Sequence, residues 1–127
     1  MTVAYYNSNN DTLVSESGRG YNVDGIINPD ITTGGVNILA TTPGDNIQAV
    51  SGSSVATAVV AGVCALILQW GRVNKNDLQM FSSKVRSYLI YGANRKSNEN
   101  YPNRETGFGY LNIKNTSEFI GGVYSLE

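Results

Sequence analysis

The chain has 127 residues, nine of them basic and ten acidic, with one cysteine and no histidine. That length supports one domain with a buried core, and the near-balanced charge, without a basic run, sets aside a nucleic-acid surface. The missing histidine excludes a Ser-His-Asp catalyst or a histidine-bearing zinc site made from these residues alone, and the single Cys64 excludes an intrachain disulfide and a cysteine-only zinc site.

In chain order, Met1 is followed by Thr2-Val3-Ala4-Tyr5-Tyr6, which reads as a strand rather than the charged start of a signal peptide. Polar residues 7–11 end it, and Thr12-Leu13-Val14 forms a short second strand closed by residues 15–20, with the spacing of a hairpin. Residues 21–28 read as a loop anchored by Ile26 and Ile27. Pro29-Asp30-Ile31 then leads through Thr32, Thr33, Gly34 and Gly35 into a strand over residues 36–41, expected to bury at least one face. Pro43-Gly44-Asp45 is a turn, and residues 47–50 are a brief extended approach to Ser51-Gly52-Ser53-Ser54.

The apolar run entered from this serine turn organises the rest of the chain. Between Val55 and Leu68 only Thr57 and Gly62 are not apolar, so a helix buried on every face is expected. It reads as too short for a bilayer, which takes roughly 20 apolar residues. Cys64, in mid-helix, reads as a small core hydrophobe. Gly71 is expected to break the helix, and Asn76 or Asp77 to cap another over residues 78–91, with Phe81, Val85, Tyr88 and Leu89 on its apolar stripe. Gly92 stops that helix. Residues 94–105 form a polar loop, residues 107–112 a short strand, and a last helix starts near Asn115 or Thr116. The pattern is α/β, with helices covering a mainly parallel sheet in one domain.

A serine where a turn enters a buried helix is either a cap for unpaired N–H groups or a nucleophile beside them. Gly52-Ser53-Ser54-Val55-Ala56 departs from G-x-S-x-G in its last position, and nothing after Ser54 supplies the histidine that the α/β-hydrolase order requires. In the subtilisin order the aspartate and histidine precede the serine, so a chain without histidine is compatible with it.

The residues agree with that order. Gly52-Ser53-Ser54-Val55-Ala56-Thr57-Ala58-Val59-Val60-Ala61-Gly62 resembles the subtilase signature G-T-S-x-A-x-P-x-x-A-G. Asn28-Pro29-Asp30-Ile31-Thr32-Thr33-Gly34-Gly35-Val36-Asn37-Ile38 resembles the family's K-P-D-I-x-A-P-G-x-x-I stretch. Residues 2–7 look like the strand after the family's oxyanion asparagine, residues 15–20 like its F-S-x-x-G turn, and residues 107–112 like the strand that closes the domain. Residues 65–71 and 85–90, with Tyr101-Pro102-Asn103, look most like the subtilases of clostridia and related anaerobes, a group that includes the Csp proteases of spore germination.

The resemblance implies a subtilisin-like α/β fold with a mainly parallel sheet and a buried central helix. Residues 1–127 would be the C-terminal portion of a subtilase peptidase domain, with its Asp and His upstream. Ser54 would be the nucleophile, its own N–H facing the oxyanion, with Ser53 (threonine in the family) a weaker hydroxyl donor beside it. Gly52 would let the substrate backbone approach, and Val55 would line the leaving-group side. Gly62 is expected to face a crowded site where only a small residue fits. Ala58 and Gly34 stand where the family has proline, and Asn28 where it has lysine, changes that loosen turns rather than alter chemistry.

The implied function is serine endopeptidase chemistry through an acyl-enzyme in the full-length protein, with the isolated chain inactive. Against it stand a catalytically silent subtilase-fold scaffold for binding or signalling, and a standalone α/β binding module. The expected partners are a protein or peptide substrate, the N-terminal part of the same domain, and further copies of the chain through exposed apolar surface, with no membrane. No cofactor is expected. Calcium is common in the family, but no acidic cluster here specifies a site. The resemblance points to a secreted or spore-associated protein.

Overall fold

The computed structural model describes residues 1–125. Its main sheet is built on β1 (Val3–Asn7), whose aromatic and branched residues suit a pleated surface. β2 (Thr12–Leu13) folds back antiparallel on one side, with Tyr6 opposite Leu13. On the other side β3 (Ile31–Gly34) runs parallel to β1, pairing Val3 with Ile31 and Tyr6 with Gly34. The order is β2-β1-β3.

The sequence suggests only a lead-in at β3, yet Ile31, Thr32 and Thr33 are all buried in the sheet. Its free edge is closed by the segment around Tyr110: the Thr32 N–H donates to the Gly109 carbonyl and the Leu111 N–H to the Thr32 carbonyl. Residues 107–112, expected as a strand, make only isolated bridges, from Tyr110 to Thr32 and Asn94 and from Gly107 to Asn103. Gly109, at φ 129°, turns the backbone where a side chain would strike the Asn94 carbonyl.

The strand expected over residues 36–41 is β4 (Ile38–Thr42), and it pairs antiparallel with β5 (Asn46–Val50) around the predicted Pro43-Gly44-Asp45 turn. This hairpin is separate from the main sheet. Its expected buried face is not found: Leu39 is 74% exposed, because β4 pairs only with β5 and nothing packs over that side. Ile26, expected as a loop anchor, is likewise exposed.

α1 (Ser53–Leu68) packs on the sheet and the next helix through Ala56, Val60, Val63 and Ile67, one stripe at helical spacing. Its other face, which carries Thr57, Ala58, Ala61, Gly62, Ala65 and Leu66, is exposed, so the helix is not buried on every side as expected. Gly71 does not break the helix, which continues as a π-turn over Gln69–Val73. Glycine is required at this position for space, since a Cβ on Gly71 would lie 2.9 Å from the Met80 Cβ. Ser53–Val73 thereby reaches 21 residues, long and apolar enough by length and composition to cross a membrane, where the sequence suggests too short a rod. Here its apolar stripe is occupied by the sheet instead.

α2 (Ser82–Tyr91) starts later than expected. Asp77 does not cap it; the carboxylate accepts from the Gln79 N–H and the carbonyl from the Met80 N–H, a turn that buries Met80 completely. Phe81 becomes the uncapped N-cap and is 55% exposed rather than part of the stripe. Val85, Tyr88 and Leu89 are buried as predicted. α3 (Ile113–Tyr124) begins earlier than expected, with Asn112 as its cap accepting from the Asn115 N–H at 3.0 Å. Ile31, Val60, Met80, Leu89 and Ile120 form the centre of the core, and half-buried Cys64 packs against it, burial pushing its thiol pKa up.

Candidate active site

β5 ends at Val50, and the chain turns through Ser51 and Gly52 into α1. Gly52 sits at φ 149° and ψ 166°, a conformation open to glycine alone. Its carbonyl accepts from both the Val55 and Ala56 N–H groups at 3.2 Å, which starts the helix. The turn is fastened from behind by two bonds of 2.8 Å: the Gly52 N–H donates to the Gly35 carbonyl, and the Asn37 N–H to the Ser51 hydroxyl.

Neither serine serves as a cap, because Gly52 is the N-cap and no side chain closes the helix end. Ser54 is exposed at the head of α1, and among the described residues its hydroxyl makes no hydrogen bond. Ser53 is also exposed, and its carbonyl accepts from the Thr57 hydroxyl at 2.8 Å. Val55, half-buried, sits next to Ser54, so Gly52, Ser53, Ser54 and Val55 share one accessible turn. No acidic residue occupies the first helical turn. The partial positive charge of a 16-residue helix therefore stands unopposed there, suited to an anion forming at Ser54.

Gly62 does not face the expected crowded site. It is exposed, with nothing within 4 Å of where its Cβ would be among the described residues. Sequence patterning does not single out Gly35, Asn37 and Ser51, which hold the turn; the Gly34-Gly35 pair is the available signal. Among the described residues no group of three or more Asp, Glu or Cys converges to hold a metal. The turn offers a free hydroxyl and backbone N–H groups, and a base must reach it from elsewhere for acyl transfer.

The family model Peptidase_S8, described as the subtilase family, matches residues 1–109. The chain belongs to the subtilase family. Among this subtilase's relatives, Subtilisin Savinase of Lederbergia lenta is 33% identical over 91 residues, covering 68% of the chain and 31% of the relative. Serine protease AprX of Bacillus subtilis strain 168 is 32% identical over 123 residues, covering 86% and 26%. The structure of the Clostridium perfringens CspB protease matches with a TM-score of 0.88 at 36% identity, over 93% of this subtilase chain and 26% of that one. The subtilisin-like fold and the clostridial affinity expected from the motifs are thus found. The subtilase chain spans about a third or less of the curated relatives it matches.

Proposed function

We propose that this chain supplies the nucleophile, Ser54, of a serine endopeptidase whose base, acid and oxyanion asparagine come from polypeptide outside residues 1–127. The supporting observation is the Ser54 hydroxyl itself, exposed and uncapped at the positive end of α1 within a subtilase signature. In the reaction the base takes the Ser54 proton as Oγ bonds the peptide carbonyl carbon. The oxyanion meets the Ser54 N–H. The C–N bond then breaks, its nitrogen taking the proton, and water hydrolyses the acyl-enzyme. Gly52 admits the substrate backbone, Ser53 contributes a weaker donor, and Val55 borders the leaving-group side.

The isolated chain is inactive on this reading. In subtilisin, loss of the histidine alone costs about 2 × 10⁶ in turnover, and loss of the oxyanion asparagine about 10²–10³. The exposed face of α1, running through Ala58, Ala61, Ala65 and Leu66, is the surface that the N-terminal part of the domain covers. Left open, it drives self-association.

The test is a graft of residues 1–125 into the C. perfringens CspB protease in place of the segment they superpose on. Hydrolysis of a chromogenic peptide by the graft, abolished by Ser54→Ala, supports the proposal. A folded graft without Ser54-dependent hydrolysis counts against Ser54 as a nucleophile, while substitutions in the Asp-Gly and His-Gly motifs of the upstream gene sequence would favour the silent scaffold.

A further inference from the structure

Building on the reading of Ser54 as nucleophile, we propose that Gly35 is its positioning residue, holding the serine turn at a separation from β1 that only a residue without a side chain permits. Gly35 is buried where three elements meet. Its N–H donates to the Tyr6 carbonyl of β1 at 3.1 Å, and its own carbonyl accepts the Gly52 N–H at 2.8 Å. The Gly52 carbonyl in turn receives the Val55 and Ala56 N–H groups. The first turn of α1, and with it the Ser54 Oγ and N–H, is referenced through these peptide groups to the sheet.

Space, not backbone conformation, demands glycine here. A Cβ on Gly35 would stand 2.8 Å from the Tyr5 Cβ and 2.9 Å from the Gly52 carbonyl oxygen, with the Tyr5 ring at 3.1 Å. Contacts so short force a shift, and neither neighbour is the free end of a flexible side chain. Tyr5 is buried, paired with Thr33, and its N–H donates to the Ser17 hydroxyl at 3.1 Å. Gly52 lies outside the sheet in a half-buried turn, so the serine turn is the side that yields. Gly34 provides the contrast. A Cβ there would meet only the exposed Ser8 side chain, at 3.3 Å from its hydroxyl oxygen.

The geometry is tested first in the isolated chain, where no activity is needed. In Gly35→Ala, amide exchange and NMR are expected to show loss of protection at Gly52 and displaced amide resonances at Ser53, Ser54 and Val55. The amides of Ile31 and Leu89 stay protected, and Gly34→Ala leaves the whole set in place. Unmoved resonances at Ser53 to Val55 in folded Gly35→Ala overturn the inference. Should that variant not fold, an amide-to-ester replacement at Gly52 removes the donor without adding bulk; displaced amide resonances at Ser53, Ser54 and Val55 are then expected, and unmoved ones overturn the inference.

In the CspB graft, Gly35→Ala is expected to lower kcat about 10²-fold, as a misplacement near 1 Å does, with KM within about twofold. A raised KM with kcat retained overturns the inference. A graft that is inert before any change at Gly35 counts against the protease reading alone, and the amide resonances then decide the positioning role.

Discussion

Arg86 donates to a single carboxylate oxygen of Asp30, from Nε at 3.1 Å and again from its terminal nitrogen, fastening α2 to the residue that precedes β3. Asp30 is buried, and its other oxygen is served by the Thr2 N–H at 2.6 Å. Replacing Arg86 with Met leaves the first oxygen without a donor. The expected loss is about 1.5–3 kcal/mol, the range for hydrogen bonds to charged groups, read as a lower urea midpoint. A change below about 0.5 kcal/mol would mean the pair is only a surface contact.

Two glycines, one just past the end of α2 and one within α1, are expected to respond in opposite directions. At the end of α2 a Cβ on Gly92 would lie 2.3 Å from the Thr116 Oγ1 and 2.5 Å from its Cα, so Gly92→Ala forces α2 and α3 apart. A loss of about 1–3 kcal/mol and a lower Tm are expected. Gly62, in mid-helix with open space around it, gains helix propensity instead, and Gly62→Ala is expected to stabilise the isolated chain by about 1 kcal/mol. A lower Tm for Gly62→Ala would show that something already covers that face.

The Asp77 carboxylate is the hub between the π-turn, α2 and α3, accepting from Lys84 and from the Tyr124 hydroxyl. The Lys84 and Tyr124 bonds hold Asp77 below the usual carboxylate range, and the Asp77 bond holds Lys84 above the usual lysine range. Burial, with that same carboxylate, pushes Tyr124 up to about 12. A lowered acid contributes stability above its unfolded pKa and loses it as pH falls through the folded value. The raised tyrosine contributes below its unfolded value and loses it as pH rises toward 12. Asp77→Asn is therefore expected to lower the urea midpoint at pH 7, with the gap to the unsubstituted chain closing below about pH 3.9 and narrowing again at strongly alkaline pH. A gap independent of pH would assign the loss to packing.

The sequence disclosed what periodicity and turn chemistry control, and missed what contacts between distant segments control. The β1–β2 hairpin, the Pro43-Gly44-Asp45 turn, the α1 stripe and the α2 stripe at Val85, Tyr88 and Leu89 follow from local pattern. β3 is obscured because Thr32-Thr33-Gly34-Gly35 carries turn-like residues, and only pairing with β1 and bridging to Tyr110 makes it a strand. Gly71 resembles a helix stop but is required by Met80, and Asp77 resembles a cap but is claimed by Lys84 and Tyr124. At the site, Ser54 and its turn are legible from the signature. Gly35, on a segment well upstream of that turn, acts through a backbone bond that no side chain announces.

The open face of α1 makes its own prediction. Leu66 is 60% exposed beside a cavity of about 240 Å³ between α1 and α3, lined in part by Trp70, Ile113 and Ile120. Sedimentation velocity is expected to show concentration-dependent association of the isolated chain, reduced by Leu66→Glu. A monomer at every concentration, with no binding of an apolar dye, would count against an uncovered interface.

Covalent labelling with a fluorophosphonate, the modified residue located by mass spectrometry, tests the role of Ser54 most directly. Label is expected on Ser54 in the CspB graft, with little or none in the isolated chain. Ser54→Ala should remove the label while changing stability by less than about 0.5 kcal/mol, since that hydroxyl caps nothing. A folded graft that takes label elsewhere or not at all, or an isolated chain labelled at Ser54 as fast as the graft, would contradict that role.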